Sequence, residues 1–353
     1  MIVAMRDEPR ISREELRACL RDEYGLLAAA IEFLPLGQDA DAGVYRVVSE
    51  QGQSYLLKIR AGPVYPPSCV VPRYLCDQGI ASVVAPLPTK TEGLWAAAGE
   101  WTAVVYNYVE GVTGWTGMTD EHWRLTGAIF KRIHEMAPPA AGFDGLRRES
   151  FDPSVYARSV DSTEAQLARR GGGQRASERA LVSSWTRHRQ RIRALVTFLD
   201  KLGGILRRQN LPQVICHADL HPGNLLRDRA GEVFVVDWED VMSARRERDF
   251  IFVEEPSNVS SGGGGAPFFE GYGPTEIDWV ALTYYRYERV VQDLIAYAEQ
   301  VISREDLSEE TRGEAVGRFN ESLEGRNFYA AQAAAGHLSP DLTVPATGRD
   351  DTR

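Results

Sequence analysis

No stretch of this sequence limits the possible folds more than Val214-Ile-Cys-His217-Ala-Asp219-Leu-His221-Pro-Gly-Asn224-Leu-Leu226, with the turn Arg227-Asp-Arg-Ala-Gly231 and the strand Val233-Phe-Val-Val-Asp237-Trp238-Glu239 behind it. The turn between the two apolar runs reads as a hairpin. An aspartate, an asparagine five residues later and an aspartate at the end of the next strand therefore come to one rim. The asparagine and the second aspartate supply an amide and a carboxylate, hard oxygen donors of the kind that hold magnesium beside phosphates.

The rest of the chain divides by period. Ser12 with Glu15 forms a capping-box signal, predicting a helix over residues 12–31. The stretches Val44–Val48 and Ser54–Ile59 read as strands joined by a polar turn, after a glycine-bearing loop from Gly37 to Gly43. A second strand pair is predicted at Leu94-Trp95-Ala-Ala and Thr102–Tyr106, ending at Asn107-Tyr-Val109-Glu-Gly111. Beyond Gly111 the spacing becomes helical. Thr119 caps a helix bearing Trp123, Thr126, Ile129, Phe130 and Ile133, and residues 178–208 carry a long arginine-rich helix. Thr275 with Asp278 is expected to cap a last helix whose face runs from Ile277 to Ile302, with Glu288 set among its apolar positions. Residues 169–175 and 260–265 read as flexible glycine-rich connections. The expected division is a mostly β lobe over residues 1–109, a mostly helical lobe over 110–336 and a disordered tail over 337–353.

Charge and composition narrow the function. Acids outnumber bases 50 to 40, a formal charge of −10, which disfavours nucleic acid and anionic membrane as partners and favours a cationic small molecule. The start carries acids where a secretory leader would be apolar, and no uncharged apolar run reaches membrane-spanning length, so a soluble, cytoplasmic protein is expected. The four cysteines form no C-x-x-C pair and read as reduced thiols.

The spacing His217-x-Asp219-x-x-x-x-Asn224, with Asp237 after it, is the arrangement of kinase catalytic loops. Phosphoryl transfer to a hydroxyl needs a carboxylate that accepts the hydroxyl hydrogen, a role that falls to Asp219. Asn224 and Asp237 are the expected magnesium ligands. Lys58 follows the Gly37 to Gly43 loop by one hairpin, where an ammonium reaches the α- and β-phosphates while the loop covers them. Asn107 and Val109 fall at the lobe junction, where backbone groups can pair with an adenine edge. These residues, with Phe33-Leu-Pro-Leu-Gly37, Glu247-Arg-Asp249-Phe, Phe269-Glu-Gly-Tyr-Gly273 and Tyr284–Asp293, resemble the aminoglycoside phosphotransferases and related antibiotic kinases over about residues 20–305. The resemblance implies a two-lobed, protein-kinase-like α+β fold, with ATP and Mg2+ as cofactors. It also implies Asp219 as base, Asn224 and Asp237 on magnesium, Lys58 on the phosphates, and Asn107 and Val109 on the adenine. One departure stands out: the helical glutamate that should pair with Lys58 would fall near Arg73, where no acid is found.

The expected reaction is transfer of the ATP γ-phosphoryl to a hydroxyl of a small antibiotic, conferring resistance. Glu288 in an apolar face, with Glu270 and Tyr272 in the turn after Phe269, could pair with the ammoniums and cover the ring of a compact substrate such as spectinomycin. Against this, Glu288 is an acid that usually has a protein partner, Tyr284 and Tyr285 are usually core, and Glu254, Glu255, Glu270 and Asp293 are usually surface charges. His217 and Asp249 read as structural, while His122, His134, His188 and His337 are isolated. Rival readings are a kinase for a capuramycin-type nucleoside or another aminoglycoside, a metabolic kinase for choline or homoserine, a metal-dependent hydrolase built on His217, Asp219, His221 and Asp237, and an inactive nucleotide-binding module.

Overall fold

The structure is a computed structural model that describes residues 8–36, 42–139, 142–170, 175–253, 265–304 and 307–342. Gly37, most of the loop to Gly43, Glu254, Glu255, the glycines at 262–264 and the last part of the tail lie outside the described residues. The α+β class expected from the periods holds: a small antiparallel sheet lies in the first third of the chain, and helices dominate its later half.

In chain order the first elements are α1 (Arg13–Tyr24), β1 (Ala28–Leu34), β2 (Ala42–Ser49), β3 (Ser54–Ala61), α2 (Pro67–Asp77), β4 (Ala96–Ala98), β5 (Trp101–Asn107), β6 (Gly111–Thr113), α3 (Asp120–Glu135) and β7 (Arg147–Arg148). Then follow α4 (Ser154–Arg169), α5 (Ala176–Gln209), β8 (Val214–Cys216), β9 (Leu225–Asp228), β10 (Val233–Val235), β11 (Met242–Ala244), α6 (Gly265–Tyr272), α7 (Trp279–Ser303), α8 (Glu309–Glu324) and α9 (Arg326–Ala335). The chain separates into two compact units. One comprises residues 1–148, 214–249 and 255–275, and the other residues 149–213, 250–254 and 276–353.

The first unit is organised by a five-stranded antiparallel sheet in the order β1-β2-β3-β5-β4. Ser12 and Glu15 cap α1 reciprocally, as the sequence predicts, and Gly25 in the left-handed region ends it, earlier than residue 31. Leu16, Cys19 and Leu20 of α1 pack on Tyr45, Val47, Leu57, Ile59, Ala103 and Val105, which alternate along β2, β3 and β5. Because strand side chains alternate, Lys58 between Leu57 and Ile59 stands on the opposite face, in the row Val44–Lys58–Val104. The β4 strand starts two residues later than expected, at Ala96.

Two shorter sheets complete this unit, in the orders β10-β9-β6 and β7-β11-β8. Of the Phe269–Gly273 segment, expected as a turn, Phe269 to Tyr272 form the end of helix α6, and Gly273 follows it in the left-handed conformation. This helix packs tightly on α3. A side chain at Gly127 would run into the Phe268 carbonyl, and one at Gly271 into the Arg124 carbonyl, so the two backbones touch.

The second unit is helical. The α7 helix buries residues on nearly all sides, including Tyr284, Tyr285, Tyr287 and Glu288, as a central helix must. Its cap is Asp278, whose side chain accepts from the Ala281 N–H, and not Thr275. Residues 337–342 of the expected tail are ordered: the His337 ring stacks on Trp279 at 3.7 Å. Among the described residues, no helix is long and apolar enough to cross a membrane. All four cysteines are free thiols.

Candidate active site

The hairpin β9–β10 does what its spacing predicts. Leu225 pairs with Val235, and the Val236 N–H donates to the Asn224 carbonyl at 3.0 Å, which sets Asn224 and Asp237 at adjacent ends of the two strands. The Asn224 side-chain amide donates to the Asp219 carbonyl oxygen at 2.9 Å and reaches its carboxylate Oδ2 at 3.4 Å. With its nitrogen so committed, Asn224 offers its amide oxygen as a ligand atom.

The loop carrying Asp219 is built on buried polar contacts. Asp249, fully buried, accepts from the His217 N–H at 3.0 Å and the Ala218 N–H at 2.7 Å, and the ring Nε2 of His134 lies 3.0 Å from its second oxygen. Ala218 is held at φ 70°, a left-handed conformation that costs a non-glycine residue about 1–2 kcal/mol. Both ring nitrogens of His217 meet backbone: Nε2 donates to the Val236 carbonyl at 2.9 Å and Nδ1 accepts from the Asp219 N–H at 3.3 Å. That arrangement turns His217 away from the metal set of the hydrolase reading. Among the described residues, the one cluster of three metal-competent side chains is His134, Cys216 and Asp249, and its polar atoms already bond protein groups.

Lys58 on β3 and Asp237, two residues past the end of β10, come together from far apart in sequence. The ammonium lies 3.0 Å from Asp237 Oδ1 and 2.6 Å from Glu239 Oε1. Asp237 and Glu239 share a side of the chain while Trp238 between them is buried against His217. Asp237 is itself left-handed, at φ 66°. Burial disfavours the charge on Lys58, but the two carboxylates more than offset it and hold the ammonium above the usual lysine range. Burial likewise works against the Asp237 charge, and Lys58 overcomes it, holding the carboxyl below the usual range. The acid missing from α2 is thereby accounted for: the acid of that helix, Asp77, is bound to Arg73, and Glu239 takes the lysine. Sequence reasoning missed Glu239, although its alternation with Asp237 across Trp238 was a readable signal.

The remaining expected residues are placed unevenly. Gly43 is not on a loop; it lies inside β2, buried, where an added side chain would meet Pro9 at 2.7 Å. Asn107 closes β5 at an exposed position, and Val109 follows it, half-buried, before β6. Tyr272 is 2% exposed, with its hydroxyl 2.8 Å from His134 Nδ1, which corrects the expectation that it covers a substrate ring. His134, expected to be isolated, is the buried bridge between Tyr272 and Asp249. Glu270 is exposed and ion-paired to Arg124 at 2.7 Å. Glu288 belongs to the other unit, where its buried carboxylate accepts from the Tyr156 hydroxyl at 2.9 Å.

The profile of a phosphotransferase enzyme family, APH, matches residues 32–279. A crystal structure of spectinomycin phosphotransferase in complex with ADP and spectinomycin is similar at 26% identity and a TM-score of 0.78, over 92% of this chain and 99% of that one. An aminoglycoside phosphotransferase from Alicyclobacillus acidocaldarius shares the fold at 16% identity and a TM-score of 0.58, over 95% and 97%. An amicoumacin kinase in complex with AMP-PNP, Ca2+ and its ligand does so at 18% and 0.58, over 89% and 94%. No curated protein sequence matches the chain.

Proposed function

Because this chain belongs to the phosphotransferase enzyme family and is a kinase acting on hydroxyl groups, we propose that it moves the γ-phosphoryl of ATP to a hydroxyl of spectinomycin or a closely similar compact, cationic ring. The observation that carries this reading is the meeting of Asp219, Asn224, Asp237 and Lys58 in one compact unit, together with the 26% identity to the spectinomycin enzyme along nearly its whole length.

Asp219 accepts the hydroxyl hydrogen as its oxygen attacks phosphorus, and the bond from phosphorus to the β-phosphate oxygen breaks to leave ADP. With the nucleotide bound, the Lys58 ammonium would neutralise charge on its phosphates. The donor set suits magnesium: Asn224 presents an amide oxygen, and Asp237 presents a carboxylate that a cation, the Lys58 ammonium, already occupies. When bound, the metal would neutralise phosphate charge and be held by these two residues. No covalent enzyme intermediate is needed, because positioning and charge neutralisation supply the rate. Antibiotic resistance in the cytoplasm would be the consequence.

On the acceptor side, the excess of acids over bases, 50 to 40, favours a cationic substrate.

The test is ADP release in a coupled assay across spectinomycin, kanamycin, choline and a neutral nucleoside antibiotic. Magnesium-dependent turnover with spectinomycin and a product one phosphate heavier are expected. Asp219→Ala should lower that turnover about 10²- to 10⁴-fold with ADP binding retained. Turnover of the nucleoside with none of spectinomycin would refute the substrate and leave the phosphotransferase standing.

A further inference from the structure

The proposed base has a second support, reached from an element the motif does not include. Trp115 lies just after β6, whose backbone runs directly on the catalytic hairpin. The Gly114 N–H donates to the Leu225 carbonyl at 2.8 Å, and a side chain at Gly114 would meet the Pro222 carbonyl at 2.8 Å. The Trp115 indole is 53% exposed, yet it lies nearly parallel to the His221 imidazole, with 5.7 Å between centroids and 18° between planes. On the imidazole, Nδ1 accepts from the Gly223 N–H at 2.9 Å, so the ring hydrogen resides on Nε2. That nitrogen lies 3.5 Å from Asp219 Oδ2. Gly223 seals the arrangement, since a side chain there would meet the His221 ring at 2.6 Å and Trp115 Nε1 at 2.8 Å.

We propose that Trp115 and His221 act as one positioning device for Asp219: the imidazole N–H holds the Oδ2 side of the carboxylate, and the indole keeps the imidazole in the rotamer that does so. The device rests on the reading of Asp219 as base. His221 keeps its proton throughout and transfers nothing; its effect is to fix which carboxylate lone pairs meet the acceptor hydroxyl. A contact of 3.5 Å is long for a finished hydrogen bond, and such contacts shorten when the reacting complex closes. The task gives an exposed tryptophan a use, because a flat, rigid ring stacked on the imidazole narrows its rotation.

Two measurements test it, one without turnover. Long-range 1H–15N imidazole spectra should show His221 as the Nε2–H tautomer in the wild type and in Trp115→Phe, and tautomer averaging in Trp115→Ala. In the coupled assay, His221→Ala should lower kcat about 10- to 100-fold with the ATP KM within about twofold, as expected for part of a general-base effect. Trp115→Ala should lower kcat about 3- to 10-fold, with Trp115→Phe recovering most of that loss. The double alanine variant should be no slower than His221→Ala, because the indole acts only through the imidazole. Multiplicative losses in the double variant, a rise in the ATP KM, or an unchanged His221 spectrum in Trp115→Ala would overturn the device. Absence of any turnover by wild-type protein would instead strike the function, while the spectra would still decide whether the stack fixes the ring.

Discussion

Asp249 and Asp237 lie in the same compact unit, and the molecule holds them in opposite ways. Asp249 is fully buried and is bound by two backbone N–H groups and a histidine ring, all at fixed positions. The Asp237 side chain is 45% exposed and is bound by the tip of one long, flexible side chain that also grips Glu239. A buried charge without its partners costs several kcal/mol, so the first arrangement is rigid and cannot be exchanged. A half-exposed ion pair contributes about 1 kcal/mol or less, so the second can be given up to another cation at small cost. The difference teaches a division of labour: the interior aspartate shapes the loop, and the exposed one is held by a partner that can be exchanged.

Breaking the rigid side should have the largest effect. Asp249→Ala strands two buried N–H groups and His134, and is expected to destabilise the protein by about 3–5 kcal/mol. Urea unfolding followed by fluorescence measures this, with Asp249→Asn recovering part of the loss. A change below about 1 kcal/mol would show that the loop is held elsewhere. Asp237→Ala should divide stability from activity. Its unfolding free energy should move by about 1 kcal/mol or less, and turnover should fall by about 10²-fold or more, with magnesium-nucleotide affinity reduced. Equal losses in both measurements would erase the contrast between the two aspartates.

Glu239→Gln sharpens it further. If Glu239 replaces the missing acid of α2 as the orienting partner of Lys58, this variant should raise the ATP KM about tenfold, and Lys58→Ala should raise it at least as much while lowering kcat. The acceptor KM should stay near wild type in Glu239→Gln. An ATP KM that does not move would leave Lys58 oriented by Asp237 alone.

The same contrast explains what could be read from the sequence. Lys58 was legible as a strand residue one hairpin after the glycine-bearing loop, and Asn224 with Asp237 as hairpin ends, because period and turn chemistry are local. The partner of Lys58 was half legible: the alternation of Asp237 and Glu239 across Trp238 is local, but which lysine they meet, 179 or more residues away, leaves no local trace. Tyr272 was misplaced for a related reason. Its burial follows from backbone contact between α3 and α6 at Gly127 and Gly271, and glycine in a helix has many other causes. Asp278 displaced Thr275 as a cap because both residues carry the right side chain, and only the chain path selects one. The Gly43 position shows the limit in the other direction: a glycine expected for its backbone freedom is required for its small size beside Pro9.

The smallest effect concerns the other unit and supplies a case between the two aspartates. Glu164 on α4 accepts from Arg189 at 3.1 and 2.9 Å and from Arg193 at 3.2 and 2.6 Å, both on α5, and the Trp185 indole adds a contact at 3.4 Å. The carboxylate is 14% exposed, while its arginines are 60% and 43% exposed, so one partner is fixed and the others are solvated. Hydrogen bonds from Arg189 and then Arg193 hold the Glu164 carboxyl at about 2. In the unfolded chain a glutamate titrates near about 4.3. The folded value is therefore the lower one, and the group contributes stability that is complete above the unfolded value and lost as pH falls through the folded one. Glu164→Gln should destabilise the protein by about 1 kcal/mol at pH 7, after allowance for the exposed arginines. That gap should narrow from about pH 4.5 and close near pH 2, with wild type and variant converging. Thermal melts of both proteins across this range, at constant ionic strength, would show it. A gap of constant size down to pH 2 would mean that the glutamine amide replaces the carboxylate in packing alone, and that the arginine network contributes nothing through charge.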